Sequence, residues 1–491
     1  MLPDSTPTGI EGLDAVLGGG LPSHRIYLIQ GAPGAGKTTL GMQFLMSGVK
    51  AGQRCLYVTL SETRSEIEAV VDSHGWSLDG LDVVELTASE QTAGLDSENT
   101  LFEPSEVELQ ETTRRVLTEI ERIQPDRLVF DSLSELRLLA QSALRYRRQI
   151  LAMKQAFAGK QMTVLLLDDH SGDATDFQLQ SLAHGVLTLE QLTPLYGADR
   201  RRLHITKVRG RKFRSGYHDF AIGTGGIELF PRLVLPQHVE TPPRRYLSSG
   251  IAELDALLGG GVDYATATLI LGPAGTGKST VAIQYALAAV GRGERAALFV
   301  FDERPNTILE RTRALGTDIS PHVASGALLV REVDPAELSA GEFAHRVKEV
   351  IVETGCRLVV IDSLNGYLHA LSDESQLSVQ LHEMLAYLGN SGVATLMVMA
   401  QHGLTGTMHA PVDVSYLADT VVLLRHFEAD GRIRKAISVL KKRSGPHEDT
   451  IRELTISSRG IHVGAALRQF TGVLTGVPKY IGDPTKLTSG D

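Results

Sequence analysis

The 491-residue chain repeats its own order of motifs, and that repetition limits what it can fold into. "TGIEGLDAVLGGGLP" at 8–22 returns as "SGIAELDALLGGGVD" at 249–263. "GAPGAGKTT" at 31–39 returns as "GPAGTGKST" at 272–280, with Gly31 and Gly272 241 residues apart; "TLSE" at 59–62 and "VFDE" at 300–303 keep the same offset. "LVFDSLSEL" at 128–136 matches "LVVIDSLNGY" at 358–367, where Asp131 and Asp362 are 231 residues apart. Order and spacing kept over this length mean one domain of roughly 240 residues, used twice. The expected domains are 1–243 and 244–491, joined through "TPPRRY" at 241–246, where two prolines interrupt the chain. The drop in offset places an insertion in the first half, between Glu62 and Asp131. The polar, acidic segment at 87–106 fits it, either as a tolerated surface loop or as a loop that recognises a partner.

Each half alternates short apolar runs with helix-length segments. The runs are "RIYLIQ", "RCLYVTL", "RLVFDS" and "MTVLLLD", then "ATLILG", "AALFVF", "RLVVIDS" and "ATLMVM". Unbroken Val/Ile/Leu runs predict strands buried on both faces. Strands alternating with helices predict an α/β fold, each half a mainly parallel sheet flanked by helices. Ligands of such sheets bind at the carboxyl ends of the strands, where the repeated motifs begin.

Those motifs match the phosphate-binding pattern G-x4-G-K-[ST] twice. Gly31, Gly34 and Gly36 let backbone N–H groups turn inward around phosphate oxygens, and Gly272, Gly275 and Gly277 do the same in the second half. Lys37 and Lys278 would reach β- and γ-phosphates. Thr38 and Ser279 would ligate Mg²⁺, with Thr39 and Thr280 beside them at the helix start. Asp131 and Asp362 end apolar strands, a placement that suits either a carboxylate holding Mg²⁺ or a helix cap. ATP and Mg²⁺ are therefore the expected ligands. After the second strand the halves diverge: Ser61-Glu62 faces Asp302-Glu303. An attacking water or hydroxyl needs an acceptor near the γ-phosphate. Asp302 offers a short carboxylate there, while the first site would rely on Glu62.

Two basic stretches, "RRRLHITKVRGRKFR" at 200–214 and "RIRKAISVLKKRS" at 432–444, have three readings: solvated loops, a nucleic-acid strip, or cations delivered to a neighbouring subunit's ATP. The net charge of −10 does not favour broad nucleic-acid or membrane binding. Cys55 and Cys356 form no framework and read as reduced thiols of a cytosolic protein. No basic region followed by an apolar run opens the chain, and no apolar run reaches membrane-spanning length, so the expected location is cytoplasmic.

Taken together, "PTGIEGLD", both phosphate loops, "TLSET", "FDERP", both "DSL" aspartates, "KVRG" and "VDPAEL" resemble the KaiC circadian-clock ATPase family of the RecA-like superfamily, from about Pro7 to about residue 465. The resemblance implies two tandem RecA-like P-loop NTPase domains in a double-ring homohexamer, with ATP at subunit interfaces. It implies ATP hydrolysis in the first ring, and serine/threonine autokinase and autophosphatase activity in the second. Lys207 and Arg209 match the first ring's trans-acting basic turn, and Lys441 and Arg443 the second ring's. Asp302 matches the base for the accepting hydroxyl, beside Glu303. Ser415 matches the acceptor serine, and Tyr416 stands where the family has a threonine. The resemblance implies a KaiB-like protein or a histidine kinase as further partner. The alternatives are a RecA/RadA-type DNA-dependent ATPase, and a non-catalytic nucleotide-gated scaffold that recruits a partner through the 87–106 loop.

Overall fold

The computed structural model describes residues 5–86, 104–169, 179–194, 197–234, 245–369, 374–401, 414–429, 431–474 and 478–482. The main division between two compact units falls between Arg232 and Leu233. The expected boundary at 243/244 lies outside the described residues, as does most of the 87–106 loop.

In the first unit, β1 (Ile26–Gly31) leads through the phosphate loop into α1 (Lys37–Lys50). Then follow β2 (Cys55–Thr59), α2 (Arg64–Ser73), β3 (Leu81–Glu85), α3 (Pro104–Ile123), β4 (Arg127–Asp131), α4 (Leu133–Ala140), α5 (Ala143–Phe157) and β5 (Thr163–Asp169). Four strands close the unit: β6 (Gly185–Leu192), β7 (Arg200–Val208), β8 (Tyr217–Gly223) and β9 (Gly226–Phe230). Among the described residues these form one nine-stranded sheet of order β3-β2-β4-β5-β1-β6-β7-β8-β9. Pairing is parallel from β3 to β6 and antiparallel beyond.

The second unit repeats this. It runs β10 (Ala267–Gly272), α6 (Lys278–Gly291), β11 (Ala296–Val300), α7 (Pro305–Ala314), β12 (Leu328–Glu332), α8 (Ala340–Thr354) and β13 (Leu358–Asp362). It continues with α9 (Leu364–His369), α10 (Glu374–Asn390), β14 (Ala394–Ala400), β15 (Thr420–Ala429), β16 (Arg432–Lys442), β17 (Arg452–Ser457) and β18 (Gly460–Ala466). The sheet order β12-β11-β13-β14-β10-β15-β16-β17-β18 is that of the first unit, strand for strand.

The unbroken apolar runs have a simple cause. Successive side chains of a strand point to opposite faces, and both faces are covered. In β1, Tyr27 and Ile29 join the cluster that holds Leu40, Phe44 and Leu45 of α1, whereas Leu28 joins the cluster of Leu133, Ile150 and Met153 on the other side. In β10, Ile270 and Leu269 divide in the same way. Truncating a side chain such as Leu28, 1% exposed, should cost about 2–5 kcal/mol through lost transfer energy and a cavity. This two-faced packing fixes the strand ends, and therefore the loops at their carboxyl edge. Among the described residues no helix is long and apolar enough to cross a membrane.

Candidate functional site

Both phosphate loops turn from a central strand into a 14-residue helix. The turning residues, Gly36 and Gly277, sit at φ +101° and +100°. That backbone is strained for any L side chain. A Cβ there would also press on a covering side chain, coming within 2.8 Å of Ile222 Cδ1 at Gly36 and 2.2 Å of Ile456 Cδ1 at Gly277, so that the isoleucine would have to shift. Strands β8 and β17 thus cover the loops, and glycine is what lets the backbone N–H groups open toward an anion at the helix N-terminus.

The lysines differ in their partners. Lys37, 8% exposed, donates to the carbonyl oxygens of Gly31 at 2.9 Å and Ala32 at 3.0 Å, and pairs with Asp169 Oδ1 at 2.8 Å. Lys278, 7% exposed, donates to Pro273 O at 2.8 Å. Burial pushes the Lys278 pKa down against the opposing charge of Asp362.

The strand-end aspartates meet the loop hydroxyls. Thr38 Oγ1 donates to Asp131 Oδ2 at 2.7 Å, and Ser279 is hydrogen-bonded to Asp362. Burial pushes both carboxyls above the ordinary range, although the hydrogen bonds from Thr38 and Ser279 oppose it. A buried carboxylate beside an aligned hydroxyl is an oxygen donor pair that fits a hard divalent cation. Among the described residues no group of three His, Cys, Asp or Glu could hold a metal alone. The pair therefore suits Mg²⁺, which keeps waters and phosphate oxygens as its other ligands. Asp131 has one further partner, Tyr57 Oη at 2.7 Å. Leu298 occupies that place in the second unit.

The carboxylates after the second strand lie in contrasting surroundings. Glu62 has a buried oxygen, Oε2, without a hydrogen-bond partner. Burial, then the charges of Asp131 and Glu66, push its pKa up. Glu303 is instead gripped by Arg311 of α7, with Nη2–Oε2 2.8 Å and Nε–Oε1 3.2 Å. The position equivalent to Arg311 in α2 is Val70. Asp302 is exposed and accepts a hydrogen bond from Ser363 Oγ. Ser61 offers no such acceptor.

The basic turns close back on their own units. Lys207 Nζ donates to Gln180 O, and Arg209 Nη2 to Ser181 O at 2.7 Å. In the second unit Lys441 Nζ donates to Ser415 O at 3.0 Å and Ala418 O at 2.8 Å, and Arg443 Nη2 to Tyr416 O at 2.9 Å. Ser415 and Tyr416 lie in a turn ahead of β15, which begins at Thr420, with Tyr416 53% exposed.

Reasoning from sequence missed four of these participants: Asp169, Tyr57, Arg311 and Ser363. Asp169 had a signal, because it ends an apolar strand at the sheet's carboxyl edge. Tyr57 and Arg311 had none, since each acts across elements.

Comparison with known proteins supplies the family. The family model described as "ATPase: KaiC" matches residues 6–234 and again 247–468. The "Circadian clock oscillator protein KaiC" of Parathermosynechococcus lividus is 27% identical, covering 96% of this chain and 88% of its own. That of a Picosynechococcus strain is 28% identical over 96% of this chain and 92% of its own, and "Circadian clock protein KaiC3" of a Synechocystis strain is 25% identical over 96% and 94%. With both halves matched over nearly their whole length, the chain belongs to the KaiC ATPase family.

Proposed function

We propose that this chain is a nucleotide-driven signalling or timing switch: a double-ring homohexamer whose first units hydrolyse ATP and whose second units transfer phosphate to Ser415. One observation carries the reading. Lys441 and Arg443, the cations that would reach a neighbouring copy's phosphates, already hold the backbone of Ser415 and Tyr416. A subunit that delivers these cations to the next subunit's nucleotide delivers the acceptor hydroxyl with them.

Within each site the division of labour follows from the contacts. Backbone N–H groups of the loops hold the phosphates, and Lys37 or Lys278 neutralises their charge. Thr38 with Asp131, and Ser279 with Asp362, would hold Mg²⁺, which supplies charge neutralisation and geometry for the transferred phosphate when bound. In the second site Asp302 accepts the proton of the attacking Ser415 hydroxyl. The new bond forms between Oγ and the γ-phosphorus as the bond to the β–γ bridging oxygen breaks and ADP leaves. Ser363 aims the Asp302 carboxylate. In the first site Glu62 stands as acceptor for water. Lys207 and Arg209 serve there as Lys441 and Arg443 do in the second. Tyr416 extends farther than a threonine, and Ser415 is the primary acceptor. Further partners, a KaiB-like protein or a histidine kinase, would read the nucleotide and phosphorylation state of the rings in the cytoplasm.

The test is phosphosite mapping by mass spectrometry after incubation with Mg-ATP. Phosphate on Ser415 should appear in the wild type and vanish in both Ser415→Ala and Asp302→Asn. ATP turnover with an unmodified 414–418 segment would refute the autokinase and leave the ATPase standing.

A further inference from the structure

An ammonium group has three donors. In the first unit all three of Lys37's are taken by protein, by Gly31 O, Ala32 O and Asp169 Oδ1 at 2.9, 3.0 and 2.8 Å. The two carbonyls belong to the phosphate loop itself. Asp169 does not: it comes from the end of β5, which its register sets directly beside Gly31. The main chain that carries it is fixed from behind, because the Asp169 backbone N–H donates to Ser134 Oγ at 3.0 Å. Burial opposes its ionisation, but the hydrogen bond and charge of Lys37, with Ser134 and Arg137, outweigh that and keep the carboxyl below the ordinary range. The second unit lacks this arrangement. Ala400 occupies the same register position beside Gly272, and among the described residues no carboxylate pairs with Lys278.

We propose that Asp169 is a latch on the first phosphate loop, which competes with the β- and γ-phosphates for Lys37. The claim rests on the loops being the nucleotide sites. A triphosphate gains the amine only by displacing one of its three acceptors, and Asp169 is the charged one: two anions cannot share one ammonium at close range without repelling each other. Asp169 is 42% exposed, so the displaced carboxylate can turn into water, and the latch is reversible. The affinity of the first site is thereby lowered by the strength of the Lys37–Asp169 contact, whereas the second site carries no such competitor. Asp169 is a positioning residue: it sets where the lysine amine points.

The experiment is calorimetric titration of the full-length chain with Mg²⁺ and the non-hydrolysable triphosphate AMPPNP. Lys278→Ala silences the second site so that the first is read alone. Adding Asp169→Asn should tighten binding about tenfold, the worth of one charge-assisted hydrogen bond. A residue with a merely structural role would not tighten binding when replaced. The reciprocal change transplants the latch: Ala400→Asp, in a chain whose first site is silenced by Lys37→Ala, should weaken second-site binding by a similar factor. Unchanged or weaker first-site binding in Asp169→Asn overturns the latch, and so does unchanged second-site binding in Ala400→Asp. The double variant Lys37→Ala, Lys278→Ala separates the two levels of the argument. Loss of binding there, with Asp169→Asn unaffected, removes the latch alone; retained binding removes the loops as nucleotide sites and the latch with them.

Discussion

The two phosphate loops share a turn, with Gly36 and Gly277 within a degree of one another in φ, and differ in the partners of the charged groups around it. In the first unit the lysine is tied to Asp169 and the adjacent acid Glu62 has no partner for its buried oxygen. In the second unit the lysine meets one carbonyl and the equivalent acid, Glu303, is clamped by Arg311. The repeat keeps the backbone of the phosphate-loop motif and exchanges which acid is free. A free acid next to the buried Asp131 carboxylate suits activation of water. A clamped acid beside a short, exposed aspartate suits an incoming hydroxyl from another chain, because water loses its acceptor.

The largest effect expected is loss of one site without the other. Lys278→Ala should weaken triphosphate binding in the second unit by on the order of a hundredfold or more, since a buried charge that meets phosphate is removed. It should also abolish Ser415 phosphorylation while first-unit turnover persists. Lys37→Ala should do the reverse. Titration of each variant, with turnover and phosphosite readouts in parallel, checks both. If either variant silences both activities, the division of labour between units is broken.

A smaller effect sharpens the contrast between the acids. Arg311→Met keeps the apolar stem of α7's side chain and removes the guanidinium that holds Glu303. With the first site silenced by Lys37→Ala, hydrolysis by the second unit should rise about tenfold as Glu303 becomes available to water. Phosphate on Ser415 should fall in proportion, since water and hydroxyl compete for one γ-phosphoryl group. Single-turnover assays with labelled ATP measure that partition. Unchanged hydrolysis would mean that Arg311 is only a surface staple, a role open to any half-exposed ion pair.

Much of this was legible from residue order alone. Both strand-helix repeats, both loops and both aspartates follow from motif spacing, because a phosphate cradle needs glycine, lysine and a hydroxyl at fixed separations along one turn. The groups that make the sites unequal were harder to read, for a physical reason. Arg311 lies eight residues from Glu303 on a helix that also carries Arg313, and nothing in the order of residues says which of the two turns inward. Tyr57 sits in an apolar strand and reads as core until its hydroxyl is seen on Asp131. Asp169 is the intermediate case: its strand-end position marked it, but its partner is fixed by the β1–β5 register. The turn that holds Ser415 was equally hidden, since "SYLADTVVLL" reads as the start of a strand while Lys441 and Arg443 hold its first residues apart from that strand.

The subtlest expected effect is a pH dependence confined to the first unit. Glu62 can accept a proton only when ionised, and its pKa is pushed up by burial and by the charges of Asp131 and Glu66. The sign follows directly. Turnover depending on Glu62 is full above this raised pKa and falls as pH drops through it, so the acid limb lies above the roughly 4.3 of an ordinary glutamate. In a chain with the second site silenced by Lys278→Ala, a pH–rate profile should show that limb, and Glu62→Gln should remove the activity it describes. Glu66→Gln supplies the finer test. The substitution keeps the capping box in which residue 66 accepts from the Thr63 N–H, because glutamine still offers an oxygen there. It removes one of the charges that raise the Glu62 pKa, so the limb should move toward lower pH with little change in the plateau. A limb that stays in place would assign it to a group other than Glu62, and the free acid of the first unit would then be a feature of packing, with water activated elsewhere.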